Sequence, residues 1–257
     1  MDLEQHNAEI QENLAYWNKK PTLRKVYRGF HEAIGAQLSG IQGHHIAELG
    51  SGIGNIKEVI PDCIRTDLFP NPWIDQMESA YRLSFDDESA SDLILFDVFH
   101  HLRYPGRALE EFQRVLVPGG RVIIFDPCVS LLGRLVFGLC HHEPIGLCEP
   151  ITWLPPPDWD VDQDDYYAAQ GNAYRGFVKN AFEADLRNWK RVLCRRLSAI
   201  SYVATGGYSK PQLYPQSMLP VMRGIDRVCD LVPSLFATRL LVVLEKRNQE
   251  TVKLSES

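Results

Sequence analysis

The chain has 257 residues, 45% of them apolar and 23% charged, which is long enough for a substantial core and excludes a fibrous or disordered class. The 33 acidic residues outnumber 27 basic ones, and the net charge of −6 argues against a nucleic-acid backbone as partner. The polar, acidic N-terminus does not read as a signal peptide and no run of about 18 apolar residues reads as a membrane span. Six scattered cysteines form no CxxC and no zinc spacing, the habit of reduced thiols in a cytoplasmic protein.

In chain order, Leu3, Ile10, Leu14 and Trp17 recur at helical spacing, Pro21 interrupts, and Leu23, Val26, Phe30, Ile34 and Leu38 resume the period. "HHIAEL" reads as a first strand and runs into "GSGIGN"; "NIKEVIP" then predicts a helix closed by Pro61. "CIRTDL", "LILFDVFH" and "RVIIFD" read as further strands, the second apolar enough to be buried on both faces. Between the last two, "PGRALEEFQRVL" predicts a helix and "VPGGR" a turn. From Pro127 to about Lys179 the rhythm breaks into a short apolar helix ("LLGRLVFGLC"), "HHEP", and a stretch rich in Pro and Trp. "NAFEADLRNWKRVL" predicts a helix, "LSAISYVAT" a strand, 216–231 a helix and "TRLLVVLEK" a last strand, with a frayed tail after Asn248. Strands alternating with helices imply a mostly parallel sheet covered on both faces.

The glycines at Gly50, Gly52 and Gly54 stand where the first strand ends, with Glu48 two residues ahead. Their register differs from that of nucleotide-phosphate loops, and no Lys-Ser/Thr follows Gly54. A carboxylate there would repel a pyrophosphate and welcome a cation. Here the sequence resembles the class I S-adenosylmethionine-dependent methyltransferases, whose first motif reads acid-x-Gly-x-Gly-x-Gly. Asp67 in "RTDLF", "LFDVFHHL" and "RVLVPGGRVIIFDP" are similar to three further motifs of the family, in the right order. The resemblance covers Gly43 to Pro127 well.

The resemblance implies an α/β Rossmann-like fold with a seven-stranded mostly parallel sheet, an N-terminal helical cap and an insertion after the fifth strand. It implies one domain over 1–257: a cap (1–42), a cofactor-binding core (43–127), a substrate lid (128–179) and the C-terminal part of the sheet (180–248). S-adenosylmethionine is the implied cofactor, contacted by Glu48, Gly50, Ser51, Gly52, Gly54, Asp67, Ser79, Ala80, Phe96 and Asp97. Asp67 would take the ribose hydroxyls. At the adenine acid the sequence departs from the family, because Ser79 holds the acid's place and Ser84 that of a proline. Glu78 and Asp86 are the nearby substitutes.

Methyl transfer needs alignment above all, and a base only where the acceptor must lose a proton. Candidate catalytic residues are His100 and His101 after the fourth strand of the family's order, Asp126 at the end of the fifth, and His142 beside Glu143. No metal is expected, since adjacent histidines such as His141 and His142 in an extended segment face apart. Trp153, Trp159, Tyr166, Tyr167 and Tyr174 are expected either to line a pocket or to anchor the insertion. The helix around Arg134 is expected in the core, which leaves open a peripheral contact with a membrane or a lipid-linked substrate.

The expected activity is methylation of a small molecule, first a hydroxyl of a sugar or lipid-linked saccharide and second a quinone-like ring, as in bacterial members of the family. A non-catalytic cofactor-binding protein is the alternative from another class, supported by the Ser79 departure. A nicotinamide-dependent oxidoreductase is disfavoured by Glu48 and the loop spacing. RNA or protein methylation is disfavoured by the acidic balance and by "DVFH" standing where such enzymes carry an Asn-Pro-Pro-Tyr-like motif.

Overall fold

The structure is a computed structural model that describes residues 3–140, 143–163 and 166–248. Seven strands form one sheet: β1 (His45–Leu49), β2 (Ile64–Asp67), β3 (Gln76–Met77), β4 (Ala90–Phe96), β5 (Leu116–Pro127), β6 (Trp189–Leu197) and β7 (Arg239–Lys246). Their order is β3-β2-β1-β4-β5-β7-β6. β1 to β5 pair in parallel, and β7 runs antiparallel to both β5 and β6. The order turns back between β1 and β4, and a crevice beyond the carboxyl ends of strands at such a point is where open α/β sheets hold ligands.

Helices α1 (Leu3–Lys19) and α2 (Pro21–Gly35) meet at Pro21, whose fixed φ suits a first helical position. The stripe Leu23, Val26, Tyr27 and Ile34 turns inward. Leu23, Tyr27 and Ile34 pack with Trp17, Phe96, Phe125 and Val243 on one face of the sheet, while Val26 packs with Tyr214 and Leu219. On the other face, α3 (Pro105–Val115) and the irregular insertion bury Leu93, Phe99, Phe112, Phe177 and Phe182. All seven residues of β4 are buried, as suits a central strand, including the apolar run Leu93–Phe96 and the polar Ser91 and Asp92. α4 (Leu131–Cys140), α5 (Ile200–Val203), α6 (Leu219–Cys229) and α7 (Pro233–Phe236) complete the chain. Among the described residues no helix is long and apolar enough to cross a membrane.

Three expectations give way. "NIKEVIP" forms only a 3-10 turn, Asn55–Glu58, because Pro61 leaves no room for a second turn. "VPGG" lies inside β5 as an irregularity: Ala90 faces Leu116, and then Asp92 faces Arg121. The helix and strand expected after residue 180 are exchanged. Residues 189–197 form β6 and 200–203 form α5. β6 is an edge strand whose Lys190, Arg191, Arg195 and Arg196 face solvent, a pattern that protects an edge but hides the period-2 signal.

α4 is not a core helix. Leu131, Leu135 and Leu139, four residues apart, are 58%, 53% and 80% exposed. The anchoring of the insertion is instead aromatic. Trp153 packs on Phe182 with ring centroids 4.5 Å apart, and Trp159 packs edge-on against Tyr81 and Tyr104. Tyr174 begins a π-helical turn against the core. Tyr166 and Tyr167 lie at the site described next.

Candidate active site

β1 delivers Glu48 and the glycine loop to the crevice. Gly50 has φ +66°, and a Cβ there would stand 2.5 Å from Val98 Cγ2. Gly54 has φ +67°, and a Cβ there would meet the Trp73 carbonyl oxygen at 2.5 Å. The loop is thus glycine both for its left-handed backbone and for close approach by neighbours. The Ser51 amide donates to the Thr66 carbonyl at 2.8 Å and pins the loop to β2. Glu48 is buried and accepts from the Ser51 hydroxyl. Burial raises its carboxyl to about 8, so without a cation beside it the group is mostly protonated at neutral pH.

Asp67 ends β2. Its Oδ2 accepts from the Gly52 amide at 3.0 Å and its Oδ1 from the Leu68 amide at 2.8 Å. His6 of α1 brings Nε2 to 3.3 Å from the same Oδ1, and Ile10 Cδ1 lies 3.6 Å from the position of a Cβ on Gly52. Helix α1 therefore covers the loop. The hydrogen bond to Asp67 raises the pKa of His6.

Beyond β3, Ser79 turns its hydroxyl into its own loop, where it accepts from the Tyr81 amide at 3.3 Å. Ala80 packs beside the core. Glu78 is the buried acid here. It accepts from Gln76 at 2.7 Å, from the Ser84 amide at 2.8 Å and from the Ser84 hydroxyl, so it ties the turn together.

At the end of β4, Phe96 stacks on Tyr27 with centroids 5.3 Å apart, inside the core rather than at the loop surface. Asp97 adopts φ +57° and pairs with buried Arg239 from the head of β7. The Arg239 guanidinium lies 4.6 Å from the Tyr202 ring centroid.

Next comes a 3-10 turn, Phe99–His101. His100 is buried, with Nδ1 3.0 Å from Asp126 Oδ1. His101 Nδ1 lies 2.9 Å from the Tyr167 carbonyl oxygen. Both Nε2 atoms turn to Glu143, at 3.5 Å from Oε2 for His100 and 3.7 Å from Oε1 for His101. Tyr166 donates to Glu143 at 2.5 Å, and Gln170 donates to it as well. Burial opposes the charge on His100, but Asp126 and Glu143 outweigh it and raise its pKa to about 10. Burial, then the neighbouring His100, lowers His101 to about 4. Glu143 is held well below the usual carboxylate range by His100, against the effect of burial. Burial raises Asp126.

The structure therefore gathers His100, His101, Asp126 and Asp97 at the carboxyl ends of β4 and β5, beside the loop after β1. His142 lies outside the described residues, as do His141 and the tail after residue 248. His6, Arg239, Tyr166 and Gln170 also belong here and carried no motif. Arg239 alone left a trace, as a lone charge at the head of an apolar strand.

S-adenosylmethionine fits these residues. A buried acid beside a Cβ-free loop suits its cationic amino-acid end, and the acceptor-only carboxylate of Asp67 suits paired ribose hydroxyls.

Residues 48–124 match a family described as a methyltransferase domain. No curated protein sequence matches the chain. Among solved structures, a chain of the complex between the Haloferax volcanii Trm112 methyltransferase activator and its methyltransferase superposes with a TM-score of 0.56 and 14% identity, covering 96% of this chain and 98% of that one. A SAM-dependent methyltransferase of Thermotoga maritima does so with a TM-score of 0.52 and 13% identity, covering 93% and 99%. At such identities the likeness is one of fold. The glycine loop, its acid and Asp67 lie in or beside β1 and β2, inside the matched residues. Residues 48–124 are thus a methyltransferase domain, set in a chain that shares the fold of S-adenosylmethionine-dependent methyltransferases.

Proposed function

We propose that the enzyme methylates an oxygen of a small-molecule acceptor: a hydroxyl of a sugar, a lipid-linked saccharide or a quinone-like ring. The observation that carries this reading is the cluster of His100, His101, Asp126 and Glu143. An amine or thiolate acceptor needs little more than alignment, whereas a hydroxyl must also lose a proton, and within the cluster His101 is neutral near pH 7 and can receive one. Bound cofactor supplies an electrophilic methyl group. With the cofactor held at the glycine loop by Glu48 and Asp67, the acceptor oxygen would take the methyl, the S–CH3 pair staying on sulfur, and the hydroxyl proton would pass to the His101 side of the cluster or to water.

Two open clefts adjoin the insertion. One, of about 600 Å³, is lined by Arg103, Tyr104, Leu154 and Tyr167 among others, and a second, of about 510 Å³, by Tyr81, Arg82, Arg107 and Trp159. Flat apolar rings beside arginines favour a ring-shaped, hydroxyl-bearing acceptor. The exposed leucines of α4 favour a lipid-linked one.

The non-catalytic cofactor-binding alternative rests on the departure at Ser79, whose hydroxyl accepts from the Tyr81 amide. Calorimetric titration with S-adenosylmethionine, followed by methyl transfer from labelled cofactor to a panel of saccharides and quinols, separates the two. Binding lost in Asp67→Ala and Gly52→Val, with label appearing in an oxygen-bearing acceptor, is the expected result. Binding without transfer to any acceptor supports the second role.

A further inference from the structure

We propose that His100, His101 and Glu143 form a site for a divalent transition-metal ion. The 3-10 turn is what makes this geometry available. Successive side chains in a strand point to opposite faces, but in a 3-10 turn they stand about 120° apart. The two imidazoles accordingly lie together, with ring centroids 4.1 Å apart.

The tautomers follow from the partners of Nδ1. The Tyr167 carbonyl oxygen can only accept, so His101 carries its proton on Nδ1 and presents the Nε2 lone pair. Asp126 binds His100 Nδ1 in the same way. Both Nε2 atoms then face one carboxylate, which itself offers only lone pairs. A metal ion seated among the three side chains would displace the proton that His100 Nε2 shares with Glu143 Oε2. That proton does not join His101 Nε2 to Glu143 Oε1, which stand 3.7 Å apart while Oε1 accepts from Tyr166.

Distances agree. For metal–ligand bonds of about 2.1 Å, neighbouring ligands on an octahedral or tetrahedral edge stand roughly 3.0–3.4 Å apart. The separations of 3.5 and 3.7 Å need to close by only a few tenths. The outer shell is in place as well: Nδ1 bound to a carboxylate or a carbonyl is how metal-ligating histidines are oriented. Two further acceptors there, Asp126 Oδ2 and Gln170 Oε1, are buried and meet no hydrogen-bond partner among the described residues.

Two imidazoles and one carboxylate suit Mn²⁺, Fe²⁺, Co²⁺ or Zn²⁺ better than Mg²⁺ or Ca²⁺, which prefer oxygen alone. Three protein ligands leave positions open. An acceptor hydroxyl in one of them would be acidified and lose its proton to water before attack on the methyl group. That role rests on the oxygen-methylation reading, whereas the metal site does not. It narrows the acceptor to molecules whose oxygen can ligate a metal.

The test uses the tag-free full-length chain, stripped with a chelator, dialysed and titrated with Co²⁺, reading d–d absorption. The expected result is about one equivalent bound, at least about 100-fold more weakly by His101→Ala and Glu143→Gln, and about 10–100-fold more weakly by Asp126→Asn. Far-UV circular dichroism and S-adenosylhomocysteine binding report whether each variant is folded. A folded wild type that binds much less than one equivalent overturns the site, as do folded variants that match wild type. Cofactor binding without metal binding would end this inference alone, whereas metal binding without cofactor binding would end the methyltransferase reading alone.

Discussion

Glu48 is buried and raised to about 8, and in the proposed cofactor site the cofactor's positive charge would lie beside it. A cation beside a carboxyl lowers its pKa. Binding of S-adenosylmethionine near pH 7 should therefore release a proton, seen as a calorimetric enthalpy that varies with the ionisation enthalpy of the buffer. The dependence should vanish in Glu48→Gln. Gly50→Ala tests the loop itself. The new Cβ meets Val98 at 2.5 Å in a left-handed backbone, so the variant should lose about 2 kcal/mol or more in denaturant unfolding. The motif was legible in the sequence because its parts are local: strand, bare loop and acid are adjacent along the chain. Arg239 and Asp97 were not read as a pair because 142 residues separate them. Glu143 was read as a partner for His142, whereas the structure sets it against His100 and His101. Ser79, read from its motif position as an adenine acceptor, has its hydroxyl engaged by Tyr81.

α1 acts on the site as a unit. His6 sits on Asp67, Ile10 lies over Gly52, and at the far end Lys20 donates to the carbonyls of Thr205, Gly207 and Lys210. In the proposed cofactor site, ribose hydroxyls would compete with His6 Nε2 for Asp67 Oδ1. His6 has its pKa raised by that carboxylate, so the charged contact is at full strength below about pH 6.5 and fades as pH rises through the raised value. His6→Ala should consequently bind S-adenosylhomocysteine more tightly than wild type near pH 6, and the gap should narrow toward about pH 8. Calorimetry of both proteins across that range checks it. An unchanging gap would mean that α1 closes over the cofactor without competing for Asp67. The period of α1 was plain from Ile10 and Trp17, but what its polar face covers was not, because helical spacing carries no information about docking. β6 failed in the opposite direction. Leu186, Trp189 and Leu193 mimic a helical stripe, and only pairing with β7 makes the segment a strand.

Across the whole molecule, burial separates two kinds of apolar residue that composition cannot. Leu93 in β4 is fully enclosed between the two helical layers. Leu139 in α4 is 80% exposed, and Leu231 and Val228 beyond α6 and at its end are 80% and 67% exposed. α4 contacts α7, and α7 contacts α6, so these side chains lie on connected helices at the β7 side of the sheet. Both sets read alike as leucines at helical or strand spacing, which is why α4 was expected in the core. Their energetics should differ sharply. Leu93→Ala removes methyl groups from a closed interior and should cost about 2–5 kcal/mol in urea unfolding. Leu139→Ser removes little that folding has taken from water, and should shift stability by less than about 0.5 kcal/mol. A cost of several kcal/mol at Leu139 would show that α4 is buried in solution against a further surface. A negligible cost leaves its apolar face as one that the fold does not require.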